Sequence, residues 1–202
     1  MKILSVSDVV VPSLYKEFDR DKFSGIDLVL GCGDLPPEYL SFILHSLNVP
    51  LYYVRGNHDI RYDTKPPMGC TDIHGKIVKF NHLKIMGLGG SRWYNGGMNQ
   101  YTESQMSKII SDMRLSLWWN RGVDIIITHS APRHIHDAED RCHRGFTSFV
   151  RFIDKYKPAY FIHGHIHQNF TCPEERITTV NKTKVINTYG YNIIEINNRK
   201  TA

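Results

Sequence analysis

Five short stretches carry residue types able to do chemistry together: "SDVV" around Asp8, "GCGD" ending in Asp34, "GNHD" from Gly56 to Asp59, "THS" around His129, and "HGHIH" from His163 to His167. Their donors are carboxylates, one amide and several imidazoles, with no thiol among them. Such a set suits divalent Mn, Fe or Zn. Two cations about 3.5–4 Å apart need a shared anionic ligand, which a carboxylate can supply, and the pair then clamps a phosphate and generates a hydroxide nucleophile. Gly33, Gly56 and Gly164 beside these residues let the backbone turn sharply and approach an ion closely. Taken singly, each has a plainer reading. Asp8 or Asp34 could cap a turn or helix, "GNHD" could be a turn, and His129 a half-buried core histidine. Their ordered recurrence carries the functional reading.

Each of these groups ends an apolar run. "KILSVS" leads to Asp8, "IDLVLGCGD" to Asp34 and "VPLYYVRGNHD" to Asn57 and His58. "VDIIITHS" leads to His129, and "PAYFIHGHIH" to the last histidines. In open α/β sheets ligands bind beyond the carboxyl ends of the strands, so five strand ends would converge on one place. Between the second and third runs, "PPEYLSFILHSLN" has a proline start, an early Glu38 and helical apolar spacing. Strand, helix and strand at that distance predict a mainly parallel sheet. "GKIVKF" and "LKIMGLGGS" flank Asn81-His82 and predict a hairpin, whose end or the site "GLGGS" would line. "TESQMSKIISDMRLSLWW" predicts one long amphipathic helix capped by Thr102, and "FTSFVRFIDKY" another helix. The tail "RITTVNKTKVINTYGYNIIEIN" predicts three short strands in an antiparallel meander. No linker or repeat interrupts the pattern, so residues 1–202 read as a single domain.

Composition narrows the class further. The formal charge of +5 admits an anionic substrate. Lys and Arg are scattered, so nucleic acid is an allowed partner but not the favoured one. Cys32, Cys70, Cys142 and Cys172 form no CxxC pair, which suits reduced thiols rather than a zinc ribbon or a disulfide framework. No apolar run approaches the roughly 20 residues of a membrane span, and Asp8 interrupts the first stretch short of a signal core. The expected setting is cytoplasmic, away from membranes, and the oligomeric state is left open.

In order and composition these motifs resemble the calcineurin-like metallophosphoesterase superfamily, whose motifs run D-x-H, G-D, G-N-H-[DE], a single His and G-H-x-H. The resemblance covers residues 8 to 167. It implies a four-layer αββα sandwich, an α/β fold with two mixed sheets and a metal site at strand C-terminal ends. It further implies that Asp34 bridges two divalent ions, that Asn57, His129 and His165 complete the second site, and that Asp8 and His167 belong to the first. His58 would stand off the ions, near the scissile bond, to stabilise charge or protonate the leaving oxygen, work suited to an imidazole. Asp59 would orient His58 or stabilise the turn.

One position departs from the motif: Val10 stands where D-x-H has its histidine. Residues two apart on a strand face the same way, so Val10 would point near the first ion without offering a lone pair, leaving that site weak. Compensating groups would come from "PRHIHDAEDRCHRGF", which holds His134, His136, Asp137, Asp140 and His143. His143 is the preferred candidate, as a replacement ligand or a substrate contact. His163 reads as a packed strand-end residue. The expected activity is metal-dependent hydrolysis of a small phosphodiester. A phosphomonoesterase, a nuclease and a non-catalytic binding scaffold of the same fold are the alternatives.

Overall fold

The computed structural model describes residues 1–196. The strands are β1 (Lys2–Ser7), β2 (Ile26–Gly31), β3 (Leu51–Tyr53), β4 (Thr71–Asp72), β5 (Lys76–Phe80), β6 (Leu83–Leu88), β7 (Ser91–Arg92), β8 (Gln100–Tyr101), β9 (Ile125–Thr128), β10 (Tyr160–His163), β11 (Ile177–Val180), β12 (Thr183–Asn187) and β13 (Gly190–Glu195). The helices are α1 (Pro37–Leu47), α2 (Glu103–Asp112), α3 (Arg114–Trp119) and α4 (Thr147–Tyr156).

Two large sheets form, in the orders β13-β1-β2-β3-β4 and β11-β12-β10-β9-β6-β5. In the first, β1 to β4 run parallel and β13 is antiparallel to β1. In the second, β6, β9, β10 and β12 run parallel, with β5 and β11 antiparallel at the edges. Parallel strands covered on both faces read as unbroken apolar runs, which explains "IIIT" in β9. Its side chains alternate between two layers. Ile125 and Ile127 enter the cluster between the sheets with Ile3, Leu28, Leu30 and Ile162, while Ile126 packs with Phe149, Phe152 and Met106 beneath α2 to α4. Val29 faces the opposite way from Leu28 and Leu30 and packs with Leu40 and Ile43 of α1. Helices outside two stacked sheets give the expected four layers.

Local signals account for the element ends. Pro37 opens α1, and Asn48 closes it in the left-handed region at φ 53°. Thr102 caps α2 through the Gln105 N–H, and the Gln105 side chain returns to the Thr102 N–H. Asn81, at φ 51°, turns the β5–β6 hairpin as expected.

Two expectations are corrected. The single long helix is two, because Met113 N–H bonds Ile110 O, an i−3 carbonyl, and starts a new helix there. The tail is no meander either. β11 and β12 form a hairpin, but β12 lies parallel to β10 and β13 crosses to the first sheet. Both strands reach the layer between the sheets, Ile186 from β12 and Ile194 from β13, while Val185 packs on the helix side of β12.

Candidate metal centre

The loops following β1, β2 and β3 of one sheet meet those following β9 and β10 of the other. Asp8 lies just beyond β1, its side chain fully buried, and both carboxylate oxygens accept the His165 N–H at 3.0 Å. His167 Nε2 stands 3.5 Å from Asp8 Oδ1. Asp34 Oδ1 accepts the His58 N–H at 2.8 Å, and its Oδ2 is 3.2 Å from His129 Nε2. Asn57 Oδ1 is 3.1 Å from the same nitrogen, and its Nδ2 donates to the Tyr94 hydroxyl at 3.2 Å. Donor atoms of Asp34, His129 and His165 lie within 4.8 Å of one another.

Second contacts aim these donors. His129 Nδ1 donates to Cys32 O at 2.8 Å, which turns Nε2 toward Asp34 and Asn57. His165 Nε2 donates to Cys142 O at 2.7 Å, which leaves Nδ1 with a lone pair. Burial alone would lower the His129 imidazole, but the Asp34 carboxylate outweighs it and holds it up at about 9. Burial likewise works to raise Asp34, and His129 outweighs it, bringing the carboxyl to about 2. A proton on His129 Nε2 therefore sits between two oxygens, the place a divalent ion would take. Burial, followed by the charge of His129, pushes His165 down to about 4, so it is a neutral donor. A hydrogen bond to Asp8, against partial burial, raises His167. The donor set and its aim fit divalent ions.

The backbone is built for this closeness. Asp8, Asp34 and His165 have φ of 66°, 56° and 67°, left-handed values that cost non-glycine residues roughly 1–3 kcal/mol each at most sites. A Cβ on Gly56 would overlap Asp34 Oδ1, and one on Gly164 would come within 2.7 Å of Asp8 Oδ2. Asp59 accepts N–H bonds from Gly56, Asp34 and Leu35 at 2.7, 2.8 and 3.1 Å, so it secures the turn rather than His58. The exposed His58 lines a cavity of about 190 Å³ with Asp34, Pro36 and Arg61.

The structure thus brings Asp8, Asp34, Asn57, His129, His165 and His167 together, with His58 at the rim. His143 stands beside this group: Nδ1 is 3.0 Å from Asp140 Oδ1, and the ring lies 5.2 Å from that of His165. His163 is buried at the end of β10 and bonds His136 at 2.9 Å. "GLGGS" lines a separate cavity of about 190 Å³ with Arg55, His74 and Tyr101. Asp8 has left the strand at φ 66°, and Val10, two residues on, packs partly buried against the cluster that includes Leu4, Val6 and Tyr39. Tyr94, which steers Asn57, and Tyr189, stacked 4.9 Å from His167, carried no signal in motif spacing.

Residues 1–169 match the family model described as calcineurin-like phosphoesterase. The chain belongs to that family, a class of phosphoester hydrolases that use divalent metal ions. None of the curated proteins compared with it matches. Among solved structures, it is similar to a Thermus thermophilus protein at TM-score 0.64 and 15% identity, covering 94% of this chain and 89% of that one. It is also similar to GAP50, the anchor in the inner membrane complex of Plasmodium, at TM-score 0.55 and 11% identity, covering 94% and 71%. A single mutant of Vps29 from Entamoeba histolytica gives TM-score 0.50 and 16% identity, covering 98% and 87%. These likenesses concern the fold. Among the described residues, no helix is long and apolar enough to cross a membrane.

Proposed function

We propose that this chain is one domain hydrolysing a small phosphodiester, with two divalent ions of the Mn, Fe or Zn type. Asp34, Asn57, His129 and His165 would hold one, and Asp34, Asp8 and His167 the other. The observation that carries this reading is the convergence of Asp34 Oδ2 and Asn57 Oδ1 on one His129 nitrogen, whose partner nitrogen is tied to Cys32 O. Bound there, the ions supply Lewis acidity toward a phosphoryl oxygen and acidify water.

The chain's own groups do the rest. Cys32 O and Cys142 O keep the two imidazoles turned inward. His58, anchored by its N–H on Asp34, presents its ring to solvent at the rim, where it donates a proton to the leaving oxygen or offsets developing charge. The exposed ring of His167, stacked on Tyr189, leaves the first site open on one side and suits a substrate esterified on both sides.

A binding scaffold is the second reading. It is favoured by Leu115, Trp118 and Trp119 on α3, which are 80%, 75% and 79% exposed. One experiment separates the two. With Mn²⁺, purified protein should hydrolyse bis-p-nitrophenyl phosphate faster than the monoester at equal metal loading, and Asn57→Ala should weaken metal affinity by about 10–100-fold or more. No hydrolysis, with metal titration of Asn57→Ala unchanged, would overturn the proposal.

A further inference from the structure

The segment after β9 carries a second convergence of ligand atoms, "DRCH" from Asp140 to His143. Asp140 Oδ1 lies 2.9 Å from Cys142 Sγ and 3.0 Å from His143 Nδ1, and Sγ lies 3.5 Å from Nδ1. This set differs in kind from the first, because it includes sulfur.

An Asp turn explains part of it. Asp140 Oδ1 also accepts the N–H groups of Cys142 and His143, at 3.1 and 3.0 Å. That accounts for the carboxylate, but not for two further side chains turned onto the same oxygen. In tetrahedral zinc sites, bonds of about 2.0–2.3 Å set neighbouring donors about 3.3–3.6 Å apart. The Sγ–Nδ1 distance of 3.5 Å already lies in that range, while the two contacts to Asp140 Oδ1 are shorter, as hydrogen bonds. A divalent ion bound there would take the thiolate, since a coordinating thiol gives up its proton.

The location adds a consequence. The Cys142 carbonyl accepts His165 Nε2–H, so the backbone of this cluster holds a donor of the centre described above.

We propose that Asp140, Cys142 and His143 form a third cation site, with a thiolate, an imidazole and a carboxylate holding a zinc-class ion and leaving a fourth position open. The Cys142 proton is released to solvent on binding. This site stands whether or not the chain cleaves diesters.

Cobalt titration of the reduced full-length chain tests it. The centre formed by Asp8, Asp34, Asn57, His129, His165 and His167 has no sulfur, so a thiolate-to-cobalt charge-transfer band in the near ultraviolet reports only a cysteine. The expected result is a saturable band that is lost in Cys142→Ser and kept in Cys172→Ser, whose exposed thiol is the control. Asp140→Asn and His143→Gln should each weaken the cobalt affinity read from that band at least tenfold, by loss of a ligand. Absence of the band in the unmodified chain overturns the proposal. So does a band that survives Cys142→Ser, or one indifferent to both Asp140→Asn and His143→Gln, which would mark a lone thiol adduct.

Discussion

The Asp59 carboxylate accepts the backbone N–H of Asp34 at 2.8 Å, fastening the loop after β2 to the loop after β3. Its other bonds, from Gly56 and Leu35, complete a three-donor clasp on a residue only 4% exposed. In Asp59→Asn, one oxygen becomes an amide that donates where it must accept, leaving at least one buried N–H opposed. The expected cost is about 1–3 kcal/mol. For a chain this size that lowers Tm by roughly 2–4 °C per kcal/mol. Thermal unfolding in chelator measures it, and an unchanged Tm would show that the clasp is not what holds the two loops.

Asp34 and His129 should give the chelated protein one stability limb in strong acid and another in alkali. The Asp34 carboxyl is held at about 2, below its ordinary 3.8, so its contribution is complete above about 4 and is lost as pH falls toward 2. The His129 imidazole is held at about 9, above its ordinary 6.5, so its contribution is complete below about 6.5 and is lost as pH rises through 9. The Tm of the chelated chain should therefore decline between pH 6.5 and 9, and Asp34→Asn should flatten that decline. An equally steep alkaline limb in Asp34→Asn would place its origin in other groups.

Val10→His should not restore a complete first site. The side chain at this position packs partly buried against the cluster that includes Leu4, Val6 and Tyr39, and Asp8 before it is left-handed. An imidazole placed there should cost on the order of 1 kcal/mol in stability and leave Mn²⁺ affinity unchanged. Titration calorimetry beside an unfolding curve is the check. A clear gain in affinity would mean that position 10 reaches the ion after all.

The strand-end logic was readable because parallel strands buried on both faces need near-continuous apolar runs, so each interruption, at Asp34, Asn57 or His129, marks an edge of the sheet. Capping was readable for the same local reason: Thr102 and Gln105 satisfy one another across three residues. What escaped the sequence depends on distant partners. Nothing in "TKVIN" or "GYNIIE" says which sheet each joins, since alternation records burial but not the neighbour. Backbone carbonyls such as Cys32 O and Cys142 O, which aim the imidazoles, are invisible to any motif. The break at Met113 is one carbonyl's shift in hydrogen bonding, beyond what apolar periodicity resolves.

Asp8, Asp34 and Asn57 descend from one sheet, while His129 and His165 descend from the other. An ion shared among them would act as a rivet through both layers, adding to the apolar contact of Leu28, Ile125 and Ile162 and to the His129–Cys32 O hydrogen bond. A folded chain gains RT ln(1 + [L]/Kd) from such a ligand, about 2.7 kcal/mol at a hundred times Kd. The lifetime of the folded protein would then rise and fall with the supply of free metal around it, apart from any turnover.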